Sequence, residues 1–199
     1  LKSLRRLLDE MNNLSDAGKS EANRRMLDEV IPDKVPLEML HKVLRLLLEE
    51  QVSIRNLPLI LESIVEARQS HVLPEAICEH VRQRLGFQLV SEMQRDDGSI
   101  PLVQLAPEWE DTFATYQIDG ERGSLDVALP PDLFNRLTTA LAEKITSVAE
   151  QGIFPAVVTS TRRRRFLRTV MRAKAINNPV LSFEEIGLEA RPALVGVIA

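Results

Sequence analysis

This 199-residue chain has one cysteine, Cys78, so no internal disulfide can staple it and its fold does not depend on an oxidising compartment. It has no uninterrupted apolar run near the roughly 20 residues that span a bilayer. Its opening, Leu1-Lys2-Ser3-Leu4-Arg5-Arg6, lacks an initiator methionine and the apolar stretch and cleavage site of a secretory signal. That start falls inside a helical pattern, which points to a piece of a longer protein with the cytoplasm as its simplest home. Aromatics are scarce, at 4%, and the formal net charge is -4; neither favours nucleic acid or acidic lipid as a partner of the whole molecule. Also missing are a Walker loop, a dinucleotide-binding glycine pattern and a Gly-x-Ser-x-Gly elbow. Glu49-Glu50, Glu108/Glu110/Asp111 and Glu184-Glu185 have no accompanying nucleophile or oxyanion donors, so they read as wet helix ends and loops. No catalytic centre and no cofactor is expected. Nor is a metal: on a helix Cys78 and His80 diverge by roughly 200°, and with His71 they still lack a fourth ligand.

What is present is enough to build a core: 44% of residues are hydrophobic and 27% charged. The first half reads as helices. Leu1, Leu4, Leu8 and Met11 share one helical stripe, and Glu21 to Val30 form a short second helix closed by Pro32. Pro36 suits the first turn of the next helix, with Leu40, Val43, Leu44, Leu47 and Leu48 as its apolar face. Ser53 and Asn56 both qualify as the following N-cap; Asn56 is preferred because of Pro58. Leu57, Ile60, Leu61, Ile64 and Val65 are the stripe of that helix, and Pro74 opens another carrying Ile77, Val81 and Leu85. Gly86 either ends it or bends it. Arg95-Asp96-Asp97-Gly98-Ser99 is the clearest break, and the period changes after it. Strands are expected at Ile100 to Leu105, Leu125 to Leu129, Phe154 to Val158, Val180 to Phe183 and Leu194 to Ile198. Helices are expected from Pro131 to Gly152 and from about Arg162 to Lys174, and Glu108 to Gly123 reads as polar loop with turn signals. The expected fold is therefore α+β: an all-helical subdomain over 1–95, then a small α/β subdomain over 96–199 in the order β-β-α-β-α-β-β.

Several stretches together resemble the cytoplasmic region of the FlhA/LcrD family, the export-gate subunits of flagellar and virulence type III secretion systems. They are Val35-Pro36-Leu37 through Leu46-Leu47, Glu49 to Leu57 ("EEQVSIRNL"), Ile60-Leu61-Glu62-Ser63, Glu79-His80-Val81-Arg82 with Leu85-Gly86, and Pro179 to Ile186 ("PVLSFEEI"). The flagellar branch is the preferred one. The resemblance implies the last two of four cytoplasmic subdomains, a ring-building third and a partner-docking fourth. The membrane would be reached only through a transmembrane half absent from this sequence. Implied partners are other subunits of a nine-membered ring, export chaperones and cargo, and the stalk of the associated ATPase. The family's chaperone pocket lies in earlier subdomains, so such chaperones should bind this piece weakly or not at all. Two departures bear on site residues. Many relatives carry Asp at the position of Asn56 and a basic residue at that of Pro58, so an Arg-Asp pairing does not carry over and Arg55 stands alone.

The candidate partner-binding residues are Arg55 and Asn56 at a helix entry and Arg162, Arg163, Arg164, Arg165, Arg168 and Arg172 in a run that also holds Lys174. A cation gains nothing from the dipole at a helix start, so Arg55 needs a carboxylate, either in its own subdomain or on a neighbouring subunit. Four consecutive arginines point in four directions. Some must flank the core formed by Phe166, Leu167, Val170 and Met171, while the rest form a basic face. Two readings of that face stand level: a docking patch for an acidic partner, or a solvated surface whose arginine stems cover apolar area. The alternative function is a nucleic-acid-binding regulator that reads with its helical part and contacts phosphates with Arg162–Lys174; no nucleic acid partner is expected. Trp109 and Tyr116 either anchor the loop that carries them or form a small recognition spot. Docking and release could use reorientation about Arg95–Ser99.

Overall fold

The computed structural model describes residues 34–119, 125–187 and 190–199. The two helices expected before Pro32 and the turn expected at Gly120 to Gly123 lie outside these. The chain divides into two compact units, Leu1–Leu85 and Gly86–Ala199. The composition break at Arg95–Ser99 lies within the second.

In the first unit Pro36 caps α1 (Leu37–Glu49) from outside the helix rather than from its first turn. Leu40, Val43, Leu44 and Leu47 are buried, whereas Leu48, expected on the same face, stays 54% exposed. α1 ends on Gln51 at φ 60, with the Val52 N–H reaching back 2.9 Å to the Leu47 carbonyl, a Schellman-type closure. Asn56 is the N-cap of α2 (Leu57–Ala67), its side-chain oxygen accepting from the Leu59 N–H at 3.4 Å, and Pro58 falls in the first turn where no N–H is needed. Pro74 opens α3 (Pro74–Arg84) in the same way. Both α1 and α2 pack on α3, which buries Ile77, Cys78 and Val81. A buried charge joins them as well: Arg82, 3% exposed, lies 3.4 Å from the Glu50 carboxylate at the end of α1.

Gly86 begins a separate short helix, α4 (Gly86–Ser91). The break at Arg95–Ser99 is a closed turn. Gly98 sits at φ 78, the Arg95 N–H donates to the Ser99 carbonyl, and the Asp97 carboxylate accepts the Ser99 N–H at 2.8 Å. Hydrogen bonding from Ser99 to the Asp97 carboxylate holds its pKa below the usual value.

The turn leads into β1 (Ser99–Leu105), one of the two inner strands of a four-stranded sheet. The others are β4 (Ala156–Thr159), β5 (Val180–Ser182) and β6 (Arg191–Ile198), in the order β5-β4-β1-β6, every pair parallel. Between β1 and β4 come α5 (Pro107–Thr115), a hairpin of β2 (Gln117–Asp119) and β3 (Leu125–Val127), and α6 (Pro131–Ala149). α7 (Thr161–Ala173) connects β4 to β5. α6 packs against β6 and α7 against β4 and β5, the cover that a parallel sheet requires. Val103, Leu105, Phe113, Leu137, Leu141, Val157, Leu167, Met171, Val180 and Ile198 form the core beneath them.

The α+β class holds, with one correction. Glu108 to Thr115, read as polar loop, is the helix α5, followed directly by a strand. Pro107 supplies a pre-bent first turn, Glu108 and Glu110 favour the helix N-terminus, and Trp109 and Phe113, four apart, turn the same face inward. Trp109 is 4% exposed and stacks near Phe113, with centroids 5.9 Å apart and the Arg136 guanidinium 5.5 Å from its ring. It is an anchor, not a recognition spot.

Candidate partner-docking site

At about 100° per residue, α7 sorts its arginines by position. Arg163 and Arg164 fall beside Leu167, Val170 and Met171 on the inner arc, and the three apolar residues are buried with both arginines. Arg162, Arg165 and Arg172 fall on the outer arc and are exposed, as is Lys174 just past the helix. Arg168 lies between the arcs, half-buried.

The inner pair are large cations in a low-dielectric interior, where an uncompensated charge is costly. Each has a carboxylate. Arg163, 1% exposed, donates from Nε to Glu110 on α5 at 3.0 Å. Arg164, fully buried, lies 4.0 Å from the buried Glu185 carboxylate and donates to the Val180 carbonyl at 3.4 Å. Arg168 donates to the Asn178 carbonyl at 3.3 Å, and Asn178 in turn donates to the Pro155 carbonyl at 2.9 Å. α7 is thus fastened along β5 by its own basic side chains, leaving the outer arginines as the accessible part.

The turn after β5 closes the upper end of this surface. Ser182 and Glu185 bond reciprocally: the Ser182 N–H donates to the Glu185 carboxylate at 2.9 Å and the Glu185 N–H to Ser182 Oγ at 3.2 Å. The Phe183 N–H donates to the Thr159 carbonyl at 3.0 Å. Glu184 bonds to Thr161 at the start of α7. Burial alone would raise the Glu184 pKa, but hydrogen bonds from Thr161, its own backbone and Ser182 outweigh it and hold the carboxyl below its usual value. From beneath, Gly86 presses on the turn so closely that a Cβ there would stand 2.4 Å from the Glu185 carbonyl oxygen. Phe183, at the tip, is 49% exposed.

The remaining candidates sit in the first unit, away from the α7 cluster in the chain. Arg55 is exposed, and Asn56 is half-buried with its side chain engaged in capping. Asn56 also lines an open groove of about 700 Å³ with Lys34, Pro58, Leu59, Glu62, Val65 and Glu66. Sequence reading missed the polar contacts around it: Glu66 lies 3.3 Å from the His80 ring nitrogen and 3.6 Å from the Arg84 guanidinium. The i, i+14 spacing of Glu66 and His80 across a helix–turn–helix gave no signal. Cys78 is buried, as expected of a small apolar residue. Among the described residues no cluster of three or more His, Cys, Asp or Glu could hold a metal ion, and no helix is long and apolar enough to cross a membrane.

Comparison with known proteins bears out the family resemblance. The FHIPEP family model matches residues 2–191. The flagellar biosynthesis protein FlhA of Caulobacter vibrioides is 33% identical over 178 residues, covering 89% of this chain and 25% of that protein. The chain spans about a quarter of the length of the curated relatives it matches. Among solved structures, the Chlamydia pneumoniae CdsV protein in complex with CdsO matches with a TM-score of 0.80 at 25% identity, over 100% of this chain and 55% of that one. The nonameric SctV-C of EPEC has the same fold, with a TM-score of 0.78 at 19% identity, over 98% of this chain and 55% of that chain.

Proposed function

Since the chain belongs to the FHIPEP family, we propose that it is the C-terminal part of the cytoplasmic region of a type III export gate, of the flagellar branch, and that it acts by holding other proteins. The full protein would be anchored in the bacterial inner membrane through a region outside this sequence. The helical unit contributes to a homo-oligomeric ring, with exposed Arg55 reaching a carboxylate of a neighbouring subunit. A relative of the same fold is described as nonameric, which supports that reading. The α/β unit docks moving partners: the ATPase stalk first, then cargo and chaperones. A relative, CdsV of Chlamydia pneumoniae, was solved in complex with CdsO, which supports partner binding within the family.

The observation that carries the docking reading is the division of labour on α7. Arg163 and Arg164 are paired with Glu110 and Glu185 inside the unit, whereas Arg162, Arg165 and Arg172 are exposed and have no ion pair among the described residues. An exposed basic row on an otherwise acidic molecule suits an acidic partner, which it would attract and orient.

Pull-down and affinity measurement with the longer cytoplasmic region, against stalk, chaperone and cargo proteins, test this. Reversal should be confined to Arg162→Glu, Arg165→Glu and Arg172→Glu, because reversing Arg163 or Arg164 would break buried pairs and unfold the unit. The triple variant should bind the stalk at least about tenfold more weakly, a loss of about 1.4 kcal/mol. Undiminished binding would remove the docking reading. Capture of nucleic acid with a steep salt slope, flattened by the same variant, would favour the phosphate-binding alternative instead.

A further inference from the structure

We infer that Phe183 is the apolar anchor of the α7 docking surface, and that the surface takes an acidic helix of a partner protein carrying one bulky apolar residue. This rests on the docking reading above and adds to it the source of affinity and the shape of the partner.

Three observations place Phe183 on that surface. Thr161, Arg164 and Arg168 project on the side of α7 that meets β5, and they bond in turn to Glu184, Val180 and Asn178. Arg165 and Arg172 occupy the next arc outward and therefore run beside this seam. Phe183 stands at its upper end, one residue from Glu184, which bonds to the residue preceding Arg162.

The base beneath the ring is fixed, not adaptable. The Phe183 N–H is bonded to Thr159, the flanking Ser182 and Glu185 are bonded to each other and buried, and Gly86 backs the turn without a side chain between. A large apolar side chain held half in water by a rigid turn carries no packing reason for its exposure. Ordering it costs little on binding, which is the property of an interface anchor.

Charge and spacing specify the occupant. Arg165 and Arg172 are seven residues apart, roughly 10 Å along the axis, two turns of a helix. A partner helix laid along α7 matches that spacing with carboxylates at i and i+7, and its end then meets Phe183. An extended segment would pass the same distance in about three residues and present alternate side chains away from the arginines.

The test uses the full chain and the fluorescently labelled ATPase stalk protein of the same organism. Association and dissociation rates are measured for Phe183→Ala, Phe183→Leu, Phe154→Ala and the double variant Arg165→Glu/Arg172→Glu. Phe154 is also exposed, at 66%, but precedes β4 and so lies at the opposite end of the parallel sheet. Phe183→Ala should dissociate about tenfold faster with an unchanged salt dependence, Phe183→Leu should fall between it and the parent, and Phe154→Ala should match the parent. The arginine variant should associate more slowly, and its rate should rise rather than fall with added salt. Equal thermal melts for the phenylalanine variants confirm folding. In the stalk protein, amide shift changes should fall on an acidic helical stretch; changes on a basic or extended segment overturn the assignment. If Phe183→Ala binds as the parent does while the arginine variant is weakened, the anchor is wrong and the docking reading survives. If the arginine variant also binds undiminished, the docking reading falls and the anchor with it.

Discussion

At the scale of single residues, two non-glycine residues among those described hold a backbone conformation that suits glycine. Gln51 ends α1 at φ 60 and Ala175 follows α7 at φ 56. At Ala175 the Ile176 N–H reaches back to the Met171 carbonyl at 3.0 Å, so the left-handed turn is required for closure. An L-residue there carries about 1–2 kcal/mol of strain; replacing it by glycine returns some of that as extra freedom of the unfolded chain, about 0.4–1 kcal/mol. Ala175→Gly should stabilise the second unit by about 0.5–1 kcal/mol, read as a higher urea midpoint at unchanged slope. Sequence gave no warning here, because neither position carries the glycine or asparagine that marks such a turn. The arginine run was half readable. Spacing alone puts Arg163 and Arg164 beside Leu167, Val170 and Met171, but an arginine on an apolar arc can still reach water along its stem. What turned these two inward is Glu110 and Glu185, 53 and 21 residues away, and no local pattern announces partners at that distance.

Among elements, the helix starts were open to reading because their signals are local: Asn56 with Pro58, Pro74, and Pro131-Asp132 each begin a helix where expected. α5 was missed although it carries a Pro-Glu start and a Trp109–Phe113 pair at helical spacing. Its short length and five carboxylate or threonine positions hid a stripe of only two buried residues. Those two matter out of proportion. Trp109 packs on Phe113, which meets Phe166 of α7 edge-on with centroids 5.3 Å apart, so α5 ties the helix bearing the exposed arginines into the core. Trp109→Ala should cost about 3–5 kcal/mol, followed by far-UV circular dichroism because the only tryptophan is lost. A cost below about 1 kcal/mol would show that α5 is dispensable to the fold. The stretches that carried the family resemblance prove to be joined to one another. Glu50 of the "EEQVSIRNL" block pairs with Arg82 of the "EHVR" block, and Gly86 meets Glu185 of the "PVLSFEEI" block. They identify the fold before they identify a surface, which is why the resemblance placed the family while the docking face proposed above rests on the exposed arginines of α7.

For the molecule as a whole, charge acts on two length scales. The formal net charge is -4, so an acidic partner is repelled at long range, while the outer row of α7 attracts it at contact. Salt separates the two, since the screening length is about 30 Å at 0.01 M and about 10 Å at 0.1 M. At the lower concentration the field of the whole molecule reaches the approaching partner. At the higher one only the residues it is about to touch remain visible. The association rate with an acidic partner should therefore rise or stay level between 0.01 and about 0.1 M salt, then fall toward about 0.5 M as the row itself is screened. The variant Arg162→Glu/Arg165→Glu/Arg172→Glu has no attractive part left, and its rate should climb with salt throughout. Stopped-flow association at four salt concentrations reads both curves. A parent rate that falls steadily from the lowest salt would mean that attraction extends well beyond the α7 row, and that the basic face felt by the partner is larger than the three exposed arginines.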